Sequence, residues 1–186
     1  MKITATALPG VFVIEPKVFG DARGFFVETF RDVALREAGL DVVFVQDNQS
    51  RSRRGVLRGL HYQLVQPQGK LVRVSSGAVF DVAVDVRVGS PHFGQWFGTV
   101  LDDVTHRQMY VPPGFAHGFL VLSETADFVY KCTDYYHPAS EQGIAWDDPD
   151  IGIEWPALEM PPVLSAKDLA NPRLRDQARD RLPAYR

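Results

Sequence analysis

Four stretches of the 186-residue chain gather the side chains that carry acid–base work and anion binding. The densest, GVLRGLHYQLVQPQGKLVR, holds Arg58, His61, Tyr62, Gln63, Lys70 and Arg73. In YVPPGFAHGF the chain turns at Pro112, Pro113 and Gly114 before His117, a spacing suited to a histidine at a barrel mouth. FVYKCTDYY alternates Phe128, Tyr130 and Cys132 with Val129 and Lys131, and LSAKDLANP holds Lys167 and Asp168. Each residue also has an ordinary structural reading: His117 as a hydrogen-bonded support, Tyr130 as a strand aromatic in the core, Lys167 and Asp168 as an exposed helix start. On strict alternation Arg58 and His61 face opposite sides of a strand. Both reach one cavity only if the strand bulges, for which Gly59 is the site; otherwise one lies in the pocket and the other outside.

The elements that must position these groups are short and have period two. In Ala78 to Arg87, Ala78, Phe80, Val82, Val84 and Val86 share one face, and Val79, Asp81, Ala83, Asp85 and Arg87 the other, which predicts one apolar and one partly polar face. Similar segments run over 42–46, 55–63, 70–75, 95–101, 108–111, 118–122 and 126–133, many separated by Gly and Pro. About eight to ten such strands predict an antiparallel sandwich or jelly roll. Helix is minor: Asp32 to Ala38 forms a short helix ending near Gly39, and Ser165 caps a turn through Lys167 and Asp168. The charged tail from Asn171 to Arg186 is expected to pack loosely at the periphery of a single domain over 1–186.

With 45% hydrophobic residues the chain can fill a core without metals or disulfides. A net charge of −3 gives no overall case for nucleic acid or an anionic membrane, so an anionic ligand must meet a local basic cluster. Cys132 is the sole cysteine and reads as a small core residue, which fits a reducing cytoplasm. Pro9 and Gly10 interrupt the N-terminus before any apolar run that a signal peptide needs, and no stretch is long enough to span a bilayer. There is no internal repeat.

In order along the chain, DARGFFVETF, VQDNQSRSRRGVLRGLHYQ, QGKLVR, VFDVAVDVR, SPHFGQW, YVPPGFAHGFLVLS, VYKCTDYY, WDDPDIGIEWP and LSAKD resemble the dTDP-4-dehydrorhamnose 3,5-epimerase family from Asp21 to Asp168. The resemblance implies an all-β, cupin-type jelly roll with a few short helices, usually a homodimer. It implies inversion of carbons three and five of a 4-keto-6-deoxy sugar carried on dTDP, in dTDP-L-rhamnose biosynthesis, with no cofactor. Carried over by position, His61 is the base, Asp168 its carboxylate partner, Tyr130 the proton donor on the opposite sugar face and Lys70 the cation beside the keto oxygen. Arg23, Glu28, Gln46, Asp47, Asn48, Arg58, His117, Glu141 and Lys167 match positions that hold nucleotide, pyrophosphate or sugar.

The residue types suit this chemistry. A fixed ammonium stabilises an enolate as it forms, an imidazole accepts a proton near neutrality, and a phenol keeps its proton until the enolate takes it. Arginine forks match a pyrophosphate. Three other readings compete. A cupin metal oxygenase needs a second histidine where HYQ has Gln63, which argues for no metal. A non-catalytic sugar-nucleotide module has no use for His61, Lys70, Tyr130 and Asp168 together. A relative inverting a single carbon uses a similar set and stays open. For the dimer, the apolar segment Val11 to Ile14 is expected to add a strand to a neighbour's sheet and bring Arg23 and Glu28 toward its pocket.

Overall fold

A computed structural model describes residues 1–185. Two hairpins open the chain, β1 (Lys2–Ala5) with β2 (Phe12–Glu15) and β3 (Val18–Asp21) with β4 (Gly24–Val27), followed by α1 (Asp32–Glu37). The barrel strands are β5 (Gln46–Arg53), β6 (Leu57–Gln63), β7 (Lys70–Ser76), β8 (Ala78–Asp85), β9 (Trp96–Asp102), β10 (Gln108–Val111), β11 (Phe115–Val121) and β12 (Thr125–Cys132). A short β13 (Glu141–Gly143) and α2 (Ala166–Leu169) complete the regular elements, with 3-10 turns at Pro138–Ser140, Leu174–Asp176 and Arg179–Arg181.

Apart from the separate β3–β4 hairpin, the strands form two antiparallel sheets, in the orders β1-β2-β10-β7-β12-β5 and β13-β6-β11-β8-β9. Their facing sides interdigitate in one apolar cluster that mixes Val72, Val74 and Phe128 of the first sheet with Val79, Ala83 and Phe119 of the second. Phe119 and Phe128 stack across the gap with ring centroids 4.1 Å apart. Full burial of such a ring contributes about 2–3 kcal/mol, so this contact fixes the sheet spacing as well as stabilising it. The architecture is the expected cupin-type jelly roll.

Strand β8 has the expected apolar and partly polar faces, and both are buried: Val79, Asp81 and Ala83 look into the space between the sheets, while Val82, Val84 and the following Val86 are covered by Ile151, Leu174 and Leu182. The partly polar face is therefore the interior, and the apolar face is roofed by the C-terminal segment. Other segments depart from expectation. The C-terminal segment does not pack loosely. Leu174 and Leu182 are buried, the Leu174 amide donates to Asp148 at 2.6 Å, and the Tyr62 hydroxyl donates to the Arg181 carbonyl at 2.7 Å. At 42–46 the strand begins only at Gln46, because its partner β12 ends at Cys132 and leaves the preceding residues nothing to pair with beyond the Val45 amide. The segment Val11 to Ile14 has no free edge to offer a neighbour, since β2 lies between β1 and β10 of its own sheet.

Candidate active site

The site begins with a fault in a strand pair. Between β6 and β11, His117 opposes His61 and Phe119 opposes Arg58, two steps on β11 against three on β6. The extra residue lies in Gly59–Leu60. Gly59 has φ +119, and a Cβ there would stand 2.7 Å from both the Gly118 Cα and the His117 carbonyl oxygen. Gly118 is equally constrained, since its Cβ would fall 2.7 Å from the Arg58 carbonyl oxygen. Glycine is thus required on both strands, and the bulge turns Arg58 and His61 into one cavity.

That cavity, of about 480 Å³, opens between the sheets. It takes Arg58, His61 and His117 from one sheet, Lys70, Phe128 and Tyr130 from the other, and Lys167 and Asp168 from α2. An adjoining recess of about 270 Å³ shares His61, Lys70 and Tyr130 and adds Gln46, Asn48, Tyr136 and Glu141. The three shared residues stand where the two spaces meet.

His61 Nε2 lies 2.5 Å from Asp168 Oδ1. Asp168 is held in turn by helix α2, where the Ser165 hydroxyl accepts from the Asp168 amide at 3.1 Å, the expected N-cap. Burial opposes ionisation of Asp168, but the hydrogen bond and charge of His61, with help from Ser165 and the Gly59 backbone, hold its carboxyl below the usual range. With Nε2 engaged, Nδ1 is the ring nitrogen left to accept a proton, and Glu141 Oε1 stands 3.8 Å from it. Glu141 also accepts from the Tyr136 hydroxyl at 2.7 Å and pairs with Lys167.

Across the gap, burial pushes the Lys70 ammonium below its ordinary value, against the pull of Cys132, Glu141 and Asp81. Burial raises the Tyr130 phenol, as do Cys132 and Glu141, against the opposing effect of Arg58. Tyr130 therefore holds its proton in this site. Its hydroxyl has no hydrogen-bond partner among the described residues, whereas its ring packs beside Phe128 at 5.8 Å. His117 is buried, with Nε2 2.9 Å from Asp81 Oδ1.

A base candidate on one sheet and an acid candidate on the other, with the Lys70 ammonium lining the same space from the acid's sheet, is an arrangement for moving protons on two faces of a bound ring. The family model for dTDP-4-dehydrorhamnose 3,5-epimerase matches residues 5–176. The chain belongs to the dTDP-4-dehydrorhamnose 3,5-epimerase family. It is accordingly an isomerase acting on a sugar nucleotide. A protein of that description from Pseudomonas aeruginosa is 59% identical over 169 residues, covering 90% of this chain and 93% of its own length. One from Neisseria gonorrhoeae is 58% identical over 170 residues and covers 91% of this chain, which spans about half, 52%, of that longer relative. Among solved structures, the Legionella pneumophila dTDP-6-deoxy-D-glucose-3,5-epimerase in complex with dTDP-4-keto-L-rhamnose superposes with a TM-score of 0.96 at 54% identity, covering 100% of this chain and 98% of that one.

Of the residues that match positions of the epimerase family, His61, Lys70, Tyr130, Asp168, Arg58, His117, Lys167, Gln46, Asn48 and Glu141 come together in the two connected spaces. Asp47 does not. Strand alternation puts it on the outer face of β5, opposite Gln46 and Asn48, where it pairs with Lys131 at 2.7 Å. Arg23 and Glu28 also lie outside: Arg23 tips the β3–β4 hairpin and pairs with Asp21 at 2.5 Å, and Glu28 pairs with Arg31 at 2.7 Å. Sequence reasoning assigned no role to Tyr136 against Glu141, or to Asp81 against His117; strand spacing alone does not reveal either pairing. Among the described residues no three His, Cys, Asp or Glu side chains converge closely enough to hold a metal ion. His61 and His117 each face a carboxylate, and Gln63 instead ties Gln66, Tyr135 and His137 together.

Proposed function

We propose that this chain inverts carbons three and five of dTDP-4-keto-6-deoxyglucose, giving the L-rhamno ketone, without metal or cofactor. The observation that carries the reading is the placement of His61 and Tyr130 on opposite sheets around one cavity, with Lys70 on the strand next to that of Tyr130 and lining the same space. Both carbons flank the C4 ketone, so each proton is acidified by the same carbonyl. His61 Nδ1 takes the proton while Asp168 steadies the ring and the imidazolium that forms. The electron pair moves into the C4 oxygen as an enolate, and the partly desolvated Lys70 ammonium offsets that charge. Tyr130 then delivers its proton to the opposite face of the carbon, and solvent restores the phenol and takes the proton from His61. Repetition at the second carbon completes the double inversion.

Arg58, Lys167, Gln46, Asn48, Glu141 and His117 surround the space left for nucleotide, pyrophosphate and sugar. Arg23 and Glu28 join this set only through a second subunit. The β3–β4 hairpin supports a homodimer: Phe19, Phe25 and Phe26 are 53%, 61% and 68% exposed around Arg23, an apolar and cationic tip open to a partner. A monomeric mass by light scattering at micromolar concentration counts against this. A cytoplasmic setting suits the one buried free thiol, Cys132, and no helix among the described residues is long and apolar enough to cross a membrane.

The deciding experiment incubates the protein with dTDP-4-keto-6-deoxyglucose in deuterated water and locates deuterium by NMR. Label at both carbons with inverted configuration is expected. Label and inversion at one carbon alone would make this chain a single-carbon epimerase, and no label at either would leave only nucleotide binding.

A further inference from the structure

Asp81 is a carboxylate in a place where the barrel has no structural need of one. It lies on the inner face of β8 between Val79 and Ala83, all three with no exposed surface, in a layer otherwise filled by Val72, Val74 and Phe128. A valine of similar size would match these apolar neighbours but would leave the buried His117 Nε2 without its partner. Oδ1 lies 2.9 Å from His117 Nε2, but Oδ2 is buried and has no hydrogen-bond partner among the described residues. An unpartnered buried carboxylate oxygen is destabilising, and burial pushes the Asp81 carboxyl up while His117 and Lys70 oppose that shift. A group kept at such a cost has work elsewhere.

The residue it touches lies against the cavity. His117 lines the pocket, its ring lies nearly parallel to Phe128 at 6.0 Å and 28°, and Asp81 holds its Nε2, so ring plane and ring rotation are both fixed. We infer that Asp81 is a positioning residue for the epimerisation, fixing the tautomer of His117 so that Nδ1 is the atom presented to the substrate. This rests on the reading above that His117 contacts the substrate. The two histidines are direct cross-strand partners, and each is oriented by its own carboxylate, Asp168 behind His61 and Asp81 behind His117. A carboxylate accepts hydrogen bonds, so Nε2 of His117 carries hydrogen and Nδ1 is left free to meet a sugar or phosphate oxygen.

Two measurements test the assignment. The first compares kcat/KM for wild type, His117→Asn, Asp81→Asn and the double variant. Asp81→Asn is expected to lower kcat/KM about tenfold, mainly by raising KM, in the presence of His117, and by less than about twofold in its absence, because paired groups are not additive. Equal losses in both backgrounds would overturn the proposal while leaving His117 against the substrate. Wild-type kinetics in His117→Asn would overturn that placement and the proposal with it. The second needs no Asp81 variant: nitrogen-15 NMR of ring-labelled wild-type protein, with His117 identified by its loss in His117→Asn, is expected to show Nε2 protonated. An unprotonated Nε2 bearing only a lone pair toward Asp81 overturns the proposal even if Asp81→Asn fails to fold.

Discussion

His61 on β6 and His117 on β11 stand directly opposite each other, yet their rings serve different carboxylates, His61 that of Asp168 on α2 and His117 that of Asp81 on β8. The pairing is possible because the bulge at Gly59 resets the register immediately beyond it. One strand pair therefore delivers two independently oriented imidazoles to one cavity.

Gly59→Ala tests that dependence. The new methyl would meet backbone atoms at 2.7 Å, which cannot swing aside, and the residue sits at φ +119, where an L side chain is strained. A loss of about 3 kcal/mol in unfolding free energy is expected from denaturant titration. Activity in the folded fraction should fall as well, since Arg58 and His61 leave their common cavity. An alanine variant with wild-type stability would mean the bulge relaxes without effort.

His61→Ala is expected to lower kcat by about a thousandfold or more and to remove solvent isotope exchange, the scale of a lost general base. Affinity for dTDP, measured by calorimetry, should stay within about threefold, because the proposed base makes chemistry rather than binding. Substantial exchange in that variant points to another base. Asp81 faces the same interior and is the first alternative, whereas Asp85 is committed to Arg87 and Ser90.

Lys70 ties stability to function with a definite sign. Its folded pKa lies below the ordinary lysine value near 10.4, so between the two the unfolded chain binds more protons and stability rises with pH. Below the folded pKa the desolvation penalty is fully present. Lys70→Met is thus expected to raise the melting temperature by a few degrees at neutral pH, with the gain shrinking as pH approaches about 10. Turnover in the variant should collapse, and wild-type kcat should decline with rising pH before free lysine would titrate. A lower melting temperature for Lys70→Met at neutral pH would show that its charge is a net support for Asp81 and Glu141.

How much of this was legible in the sequence follows from what each feature depends on. Alternation in β8, β12 and β7 was readable because period two is local, and Gly59 was readable because only glycine fits a bulge of that hand. The Ser165 cap was equally local. Strand partners were not: whether 42–46 is strand depends on where β12 ends, and which face of β8 is interior depends on the tail that covers the other. The tail reads as loosely packed because its apolar residues are few, but Leu174 and Leu182 join Ile151 in sealing β8. Asp47 came with a contiguous motif, but adjacent side chains on a strand point opposite ways, so its side chain lies outside the two spaces that Gln46 and Asn48 line.

Tyr130 separates the structural and mechanistic readings most sharply. As a core aromatic its ring beside Phe128 is what matters, and as the acid its hydroxyl is. Tyr130→Phe keeps the ring and removes the hydroxyl, which has no hydrogen-bond partner among the described residues, so stability should change by less than about 1 kcal/mol under either reading. Kinetics must decide. If Tyr130 supplies the proton across the sugar ring, His61 in the variant still removes and returns protons on its own face, so deuterium washes in while inversion slows by about a hundredfold or more. If the tyrosine is only packing, exchange and inversion keep their wild-type ratio. Following deuterium wash-in by NMR alongside L-rhamnose formation in a coupled assay reads both rates on one preparation. Unimpaired inversion in Tyr130→Phe would remove the acid from the sheet that faces His61, and with it the two-faced arrangement on which the proposed double inversion rests.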